Sequence, residues 1–379
     1  MAARFFRIDL NNQTYSKDFL LLMKRTTWTV WTFVAGLLVG SMALMGCGGS
    51  GGDTASEDDG ELVIYTGRSQ ALVEPLVEQY REQTDREVRV RYGSDAQLLA
   101  ALAEEGDQSP ADVFWANTTG ALGNAANEGR LTDLPADLLD QADYFVPSNA
   151  QWTPVTARFR VLAYNTDRVD PADLPRSVLD LPGQAGLQGR FGWTPAYSSF
   201  QDFVTALRVV HGADTTETWL ADVQENLDPN SYTSNTPLIE ALVAGEIDAG
   251  LTNHYYVLRK RYGDAKVDDA SSIDPEAPVG IHRFANGDVG NLALVTGAGV
   301  LQTSAQPEAG HDFLRFLLST EAQTFAAETV NEYPVVNGIE VPSYMLSVDE
   351  ALQTGPEFDL EQLRNIDATL DMLRAQGML

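Results

Sequence analysis

The chain has 379 residues, enough for roughly two domains, and a single cysteine, which excludes an internal disulfide framework and a cysteine-based zinc or iron–sulfur site. Lys and Arg number 25 against 54 Asp and Glu, a formal net charge of −29. Residues 1–46 hold five of the bases and two of the acids, so the remainder has 20 bases, 52 acids and a net charge of −32. Such a surface repels phosphate, which excludes nucleic acid as a partner.

The N-terminal segment has the pattern of an export signal. Two basic residues precede an apolar run at 28–46, which ends in Leu-Met-Gly-Cys at Cys47. This pattern resembles a bacterial lipoprotein signal, so we expect residues 1–47 to be a signal peptide with a lipobox and Cys47 to carry the lipid. Residues 48–61 would then form a flexible linker, and Met23 is a candidate initiator. An uncleaved transmembrane anchor is the alternative, because the run is just long enough to span a bilayer.

Strands and helices alternate in the next part of the chain. Apolar runs predict strands at 62–66, 88–92 and 112–116, with amphipathic helices between them. This alternation indicates parallel strands with right-handed crossovers and an α/β fold. Ligands bind at the carboxyl ends of strands in such folds, and these ends carry residues 66–69 and 117–119.

The same pattern continues in a second part of the chain. Residues 160–165 predict a strand that crosses into a second domain, and residues 291–300 predict the strand that returns. Between them, residues 191–200 have the pattern of a strand, a loop and the start of a helix. This places Tyr197, Ser198 and Ser199 at a helix N-terminus.

Two adjacent tyrosines, Tyr255 and Tyr256, are the strongest functional signal in the sequence. They follow a predicted strand at 247–251 and the N-cap candidate Asn253, so both phenols fall in the first turn of a helix over 255–261. We expect the free N–H groups and the positive dipole end to ease deprotonation of a phenol whose pKa is ordinarily about 10. Phenolate oxygens suit a hard cation. The alternative is that both tyrosines are half-buried packing aromatics.

Six segments carry a resemblance to a known family: I-Y-T-G-R-S (64–69), S-P-A-D-V-F-W-A-N (109–117), R-V-L-A-Y-N-T (160–166), N-H-Y-Y-V-L-R (253–259), G-A-G-V-L (297–301) and N-E-Y-P-V (331–335). In this order and spacing they resemble the periplasmic ferric-iron-binding proteins of ABC importers. The resemblance covers about residues 61–345.

The resemblance implies an α/β two-domain clamshell of the type II periplasmic-binding fold, with two crossover strands. The first domain would comprise 61–157 and 290–345, and the second domain 158–289. Residues 346–379 would form C-terminal helices that pack on the body. The two domains would close over Fe(III) by a hinge motion of the kind that binding proteins use.

The resemblance also implies a ligand set for the metal. The paired metal-binding tyrosines of the family match Tyr255 and Tyr256. Many relatives have a histidine and a glutamate where this chain has Ser69 and Asn117, so a shell of His, Glu and two Tyr is excluded here. Other branches recruit a third tyrosine from the loop that here carries Tyr197. Three phenolates would match the charge of Fe(III).

Further residues complete the expected site. Tyr65, at the end of its strand, is the reserve metal ligand, and Ser69 and Asn117 are kept as ligands or close neighbours of the metal. We expect carbonate or phosphate as a synergistic anion, because family members hold one with the segments matching these positions. The anion-binding candidates are Ser198, Ser199, Asn235, Asn253, Arg68, Arg158 and Arg160. Arg160 has the alternative of pairing with a surface carboxylate. His254 is interpreted as a neighbour of the metal ligands or a packing residue rather than as a ligand.

The sequence therefore predicts a monomeric extracytoplasmic lipoprotein that captures Fe(III) and delivers it to an ABC permease and its ATPase. The alternative is a clamshell binding protein for a small organic or inorganic anion, in which the tyrosines stack on or hydrogen-bond the ligand. An enzyme is the weakest interpretation, because we find no nucleophile elbow, no phosphate loop and no H-E-x-x-H motif.

Overall fold

The computed structural model describes residues 60–263 and 273–379, which belong to one compact unit. The predicted signal peptide, Cys47 and all but the end of the predicted linker lie outside the described residues. None of the described helices is long and apolar enough to cross a membrane.

Strands and helices alternate along most of the described chain. The strands are β1 Leu62–Thr66, β2 Val88–Tyr92, β3 Val113–Ala116, β4 Thr153–Asn165, β5 Phe191–Trp193, β6 Asn230–Ser231, β7 Ala249–Asn253, β8 Val279–His282, β9 Ala293–Val300 and β10 Tyr333–Pro334. The helices are α1 Gln70–Thr84, α2 Asp95–Glu105, α3 Thr119–Asn127, α4 Ala136–Leu139, α5 Ser198–His211, α6 Ala213–Leu227, α7 Asn235–Val243, α8 His254–Tyr262, α9 Pro307–Leu317, α10 Thr320–Glu328, α11 Val348–Thr354 and α12 Ile366–Ala375.

The strands form a mixed sheet in the order β2-β1-β3-β9-β4-β7-β5-β6, and β8 and β10 also pair with β4. β1 is parallel to β2 and β3, and β5 is parallel to β6 and β7, as the alternation of strands and helices predicts. β9 is antiparallel to both β3 and β4. β4 and β9 carry the chain across the sheet and back.

β4 changes partners along its length. Its first residues, as far as Phe159, pair with β9, whereas β7 begins to pair with it at Arg160. We call β1–β3, β9, β10 and the start of β4 the first half of the sheet, and the end of β4 with β5–β8 the second half. The partner change lies close to the predicted domain boundary at 157/158, but the division into domains itself stays a prediction.

The first half of the sheet is covered on both faces, which explains the unbroken apolar run of β1. Leu62 and Ile64 belong to a core with Val73 and Val77 of α1 and Phe313 of α9. The alternate residues Val63 and Tyr65 pack on the other face, with α2 and α3. A strand that is buried on both faces needs apolar side chains at every position, as β1 has.

The carboxyl ends of strands from both halves converge on one region. β1 ends at the turn 67–69 and β3 ends at Asn117, while β5 leads to the start of α5 and β7 leads directly into α8. The C-terminal segment packs near these ends: its 3₁₀ turn Leu360–Arg364 contacts α3, and α12 contacts α5. The site is built where these loops and helix starts meet.

Candidate metal centre

Tyr255 and Tyr256 occupy the first turn of α8, directly after the buried strand β7. Their rings lie 4.2 Å apart between centroids and are tilted by 30°. Each side chain is only 5 % exposed. Asn253 precedes the helix, but its side chain does not cap it, since its Oδ1 accepts a hydrogen bond from Arg160 instead. The predicted position of the helix and Asn253 as its N-cap residue are therefore right, whereas the side-chain hydrogen bond expected of an N-cap is not made.

Tyr197 meets the tyrosine pair from a different element. It precedes α5, and its hydroxyl lies 3.0 Å from the hydroxyl of Tyr256. Tyr197 and Tyr255 both line a cavity of about 350 Å³, which we call the central cavity. Its other walls come from the first half of the sheet and include Gly67, Arg68, Ser69, Gln70, Leu72, Tyr92, Gly93 and Asn117. The structure thus brings two phenols to one cavity at the strand ends, and the third, that of Tyr256, lies against the hydroxyl of Tyr197.

All three phenols are protonated at neutral pH in the iron-free protein. Burial raises the pKa of Tyr255 to about 12, and it raises the pKa of Tyr197 and of Tyr256 further. The guanidinium of Arg259 lies 4.8 Å from the ring centroid of Tyr256, but its charge does not offset the burial. The helix start does not ionise these phenols by itself, because desolvation of the phenolate raises their pKa, and the sequence-based expectation leaves the completion of ionisation to a bound cation.

Ser69 and Asn117 differ in their freedom to bind a ligand. The buried Oγ of Ser69 lines the central cavity and has no hydrogen-bond partner among the described residues. Asn117 is engaged through both oxygens: its Oδ1 accepts a bond from Arg68 and its carbonyl accepts one from Arg158. Its N–H donates to half-buried Asp95. Of the two positions, only Ser69 keeps an oxygen without a partner.

Tyr65 does not belong to this site, so its role as the reserve ligand is corrected. Its hydroxyl lies 3.0 Å from Oε1 of Glu105, and it accepts a hydrogen bond from Arg91 at 2.9 Å. Strand alternation explains the difference, because Tyr65 faces the core formed with α2 and α3 rather than the central cavity.

Four of the anion-binding candidates form a buried polar cluster. Arg160 Nη1 donates to Ser199 Oγ at 3.2 Å and to Asn253 Oδ1 at 3.1 Å. Asn235 Nδ2 donates to the same Ser199 oxygen at 3.4 Å. Arg160 is 1 % exposed and pairs with no surface carboxylate in the described part of the chain, and its hydrogen-bond partners are buried Ser199 and Asn253 instead. Burial lowers its pKa to about 9, and its Nε and Nη2 have no partner among the described residues.

The remaining anion-binding candidates have other partners or line another cavity. Arg158 Nη2 donates to the carbonyl of Asn117 at 2.7 Å, and its Nη1 has no partner in the described part of the chain. Arg68 is committed to an ion pair with buried Glu332 at 2.9 Å. Ser198 lines a second cavity of about 500 Å³, bounded by α3, α5 and the C-terminal segment.

Sequence reasoning missed the buried carboxylates of this region. Glu332 lies in the segment 331–335, but the sequence predicts no role for this side chain. It predicts none for Asp202 in α5 either. Asp202 is 4 % exposed, and burial raises its pKa to about 7 although Arg158 and Arg160 lower it. Its Oδ2 has no hydrogen-bond partner among residues 60–263 and 273–379. An aspartate flanked by Phe200 and Phe203 on an apolar helix face was the available signal.

His254 is held on both ring nitrogens, in agreement with its interpretation as a packing residue. Nδ1 accepts the backbone N–H of Phe159, and Nε2 lies 2.9 Å from the carbonyl oxygen of Asn331. A carbonyl can only accept, so Nε2 carries the proton. Burial lowers the pKa of His254 to about 3, and the ring is neutral at physiological pH. Within the described residues there is no cluster of three or more His, Cys, Asp or Glu side chains that could hold a metal.

The chain is similar to curated proteins that are named for ferric iron. The most similar curated relatives include the Fe(3+)-binding periplasmic protein of Serratia marcescens, 29 % identical over 344 residues, which cover 90 % of this chain and 96 % of that protein. The major ferric iron-binding protein of Neisseria meningitidis serogroup B is 27 % identical over 278 residues, or 73 % of this chain and 81 % of that one.

Solved structures agree with these relatives. Iron-bound HitA from Pseudomonas aeruginosa superposes with a TM-score of 0.75 at 31 % identity, covering 84 % of this chain and 99 % of HitA. Trichodesmium IdiA (FutA) in complex with iron and citrate superposes with a TM-score of 0.71 at 25 % identity, covering 84 % of this chain and all of that one. The predicted type II periplasmic-binding fold is confirmed by these matches. The model of the family described as bacterial extracellular solute-binding protein matches residues 65–324, and the chain belongs to that family.

Proposed function

We propose that this protein is an extracytoplasmic Fe(III)-binding protein that holds ferric iron through the phenolate oxygens of Tyr197, Tyr255 and Tyr256. The observation that carries the proposal is the convergence of these three phenols from two separate helix starts. Tyr197 and Tyr255 line the central cavity, and the hydroxyl of Tyr256 lies 3.0 Å from that of Tyr197. The relatives described above are named for ferric iron, which supports the same cargo here. Fe(III) is a hard cation and prefers anionic oxygen ligands.

Charge favours a trivalent cation at this position. Each phenol ionises only when a strong local charge offsets its burial, and a bound metal supplies such a charge. Three phenolates then neutralise Fe(III), so the complex brings no net charge into the cavity. A divalent cation with the same ligands would supply less positive charge to the three phenols, so each of them would be harder to ionise. The ligand set thus discriminates in favour of Fe(III).

We further propose that a small anion, carbonate or phosphate, completes the coordination of the metal. Arg160 joins Ser199 and Asn253 in one buried cluster and keeps two nitrogens without a partner among the described residues. Nη1 of Arg158 likewise has no hydrogen-bond partner among the described residues. Desolvated guanidinium groups with unsatisfied N–H donors favour an anion beside the metal.

Capture and release would use the two halves of the sheet as the two domains of a clamshell. β4 and β9 carry the chain between the halves, which suits them as the hinge of a closing motion. The walls of the central cavity come from both halves, so closure would bury the metal. We propose the predicted division at 157/158 and 289/290 on this ground.

The cellular role follows from the family and from the N-terminal pattern. We propose that the mature protein is a monomer that begins at a lipidated Cys47, remains tethered on the outer face of a membrane, and passes iron to an ABC permease and its ATPase. The segment that carries this proposal is the lipobox pattern at 44–47 followed by the acidic, glycine-rich linker.

A visible spectrum tests the iron site. Fe(III)–phenolate absorbs in the visible range, so the purified protein should be coloured with iron and colourless after treatment with a chelator. Tyr255→Phe or Tyr256→Phe should each weaken iron binding greatly and shift or bleach the band, because each removes an anionic ligand and keeps the ring. Tyr262→Phe is the matched control, since Tyr262 ends the same helix and is 38 % exposed.

Two outcomes would contradict the proposal. Full colour and affinity in both variants would show that the tyrosine pair only packs. A colourless protein that binds carbonate or phosphate without iron would favour the anion-binding alternative, for which the unsatisfied nitrogens of Arg158 and Arg160 supply a site.

A further inference from the structure

One residue, Asn331, contacts both ends of the helix that carries the tyrosine pair. Its backbone carbonyl accepts the Nε2–H of His254, the first residue of α8, at 2.9 Å. Its side-chain Nδ2 donates to the carbonyl of Gly263, the C-cap of α8, at 2.8 Å. Asn331 is 1 % exposed, and its φ of 62° lies in the left-handed region that asparagine tolerates better than most residues.

The next residue, Glu332, contacts the opposite wall of the central cavity. Its Oε2 accepts a hydrogen bond from Arg68 Nη2 at 2.9 Å and another from the hydroxyl of Thr156 in β4. The second nitrogen of Arg68, Nη1, donates to Asn117 Oδ1 at 3.2 Å. Glu332 has no exposed surface, and so its carboxylate is committed to this wall.

We propose that Asn331 and Glu332 are positioning residues that hold the two walls of the central cavity at the spacing of this structure, so that the hinge motion of the proposed function has to break their contacts. Asn331 fixes the helix of Tyr255 and Tyr256, and Glu332 fixes the loop of Arg68 through its ion pair. Because the two residues are consecutive, a shift of one wall is transmitted to the other through a single peptide unit. This inference rests on the proposed function, in which the cavity holds the iron.

The expected consequence is slow release of iron. Ligands that are already held in place lose little conformational freedom when the metal binds, so pre-organisation raises affinity without adding a contact. Neither Asn331 nor Glu332 lines the central cavity, and neither is a ligand in our proposal. Loosening them should therefore shorten the lifetime of the complex and leave the identity of the ligands unchanged.

Asn331→Gly tests the link to the tyrosine helix. Glycine accepts the left-handed backbone and keeps the carbonyl that His254 needs, but it removes the bond to Gly263. Loss of one hydrogen bond of this kind should speed iron release to a chelator by about fivefold. The wavelength of the visible band should stay unchanged, because all the phenolates remain.

Two controls separate positioning from general stability. Asp228 is the C-cap of α6 and also has a left-handed backbone, so Asp228→Gly makes the same kind of backbone change at a different helix. This variant should leave the release rate of iron unchanged. Tyr344→Phe removes only the hydroxyl that donates to Asn331 Oδ1, and should have at most a small effect. Thermal unfolding of each variant shows whether a loss of stability alone changes the release rate.

Amide hydrogen exchange of the iron-free protein tests the coupling between the walls. Glu332→Gln removes the charge that pairs with Arg68 and should increase exchange at 67–69 and also in α8. Asn331→Gly should increase exchange in α8 and also at 67–69. Effects confined to the nearer wall in each variant would overturn the proposal, as would iron release at the wild-type rate in Asn331→Gly.

These readouts keep the two hypotheses distinct. A wild-type protein without iron colour would refute the proposed function, while the exchange experiment would still decide whether the two walls are coupled. Loss of the visible band in Asn331→Gly would also overturn the inference, since a positioning residue leaves the ligands in place.

Discussion

The hydroxyl oxygens of Tyr197 and Tyr256 lie 3.0 Å apart, although the two residues are 59 positions apart in the chain. Each phenol is placed by a helix start that follows a strand of the second half of the sheet. Two phenols in such contact share one proton in a hydrogen bond, and ionising both would put two negative charges side by side in a buried site. A multivalent cation removes this repulsion. This is the role that the proposed function gives to Fe(III) at the pair.

Iron affinity should rise steeply with pH. The pKa of Tyr255 is raised to about 12, and those of Tyr197 and Tyr256 are raised further, so the iron-free site holds all three protons at pH 7. Binding as phenolate releases these protons, and a fall in pH therefore favours the iron-free form. Between about pH 5 and 8 the logarithm of the binding constant should rise by about three for each pH unit.

The measurement is competition with a chelator whose own proton dependence is known. Replacing one of the three tyrosines by phenylalanine should lower the slope by about one, because one fewer proton is released. A slope near zero in the wild-type protein would show that the phenols do not ionise on binding.

The tether gives a second prediction, on residues outside the described part of the chain. Because the apolar run ends in Leu-Met-Gly-Cys, the mature protein should begin at Cys47 with a lipid attached. Cys47→Ala should release the protein from the membrane fraction or leave it unprocessed. Mass spectrometry of the N-terminal peptide checks this, and residues 24–46 still attached to the mature wild-type protein would contradict it.

Local patterns were sufficient to predict the parts of the site that depend on strand ends. Apolar alternation located β7, and the residues after it located α8, so Tyr255 and Tyr256 could be assigned to a first helical turn. The same reasoning placed Tyr197 before α5. Strand ends converge in an α/β fold, and this topology brings the three phenols together without knowledge of side-chain contacts.

Other features depend on contacts that no local pattern encodes. Arg68 and Glu332 are 264 positions apart in the chain. The sequence around either residue gives no sign that the two charges form an ion pair. The direction of Tyr65 depends on which face of β1 turns to the cavity, and a shift of one residue reverses it. The pKa of a phenol at a helix start depends on its burial, which no local pattern encodes, and burial raises the pKa of Tyr255 to about 12.

Asp202 should make the protein less stable as the pH rises. Burial raises its pKa to about 7 from 3.8, so between about pH 4 and 7 the folded state binds a proton that the unfolded state has lost. Stability contributed by this group is then greatest at low pH and is lost as the pH rises towards 7, with a slope of at most about 1.4 kcal/mol per pH unit.

Asp202→Asn should remove this dependence, because asparagine does not titrate. Chemical denaturation at several pH values between 4 and 8 measures the difference between the variant and the wild-type protein. Parallel stability curves would show that Asp202 has the same pKa in the folded and unfolded states. Above about pH 7, where Asp202 is ionised, the variant also removes a negative charge beside Arg158 and Arg160, so phosphate or carbonate should bind it more tightly there than the wild-type protein.

The third phenolate can be tested by its charge. Tyr197→Phe leaves two phenolates against Fe(III), so one positive charge remains uncompensated in a buried site that already contains Arg158 and Arg160. Carbonate would then have to supply the missing negative charge. The variant should therefore bind iron more weakly, and its binding should depend more strongly on added carbonate than that of the wild-type protein.

Iron titrations with carbonate present and with carbonate removed make this comparison, and Tyr65→Phe is the matched control. Tyr65 was the reserve ligand, but its hydroxyl is engaged by Glu105 and Arg91, so its removal should change neither the affinity nor the carbonate dependence. If Tyr65→Phe weakens iron binding and Tyr197→Phe does not, the third phenolate comes from the first half of the sheet. Unchanged affinity of Tyr197→Phe in both conditions would refute its assignment as a ligand, because a neutral ring cannot replace the charge of a phenolate.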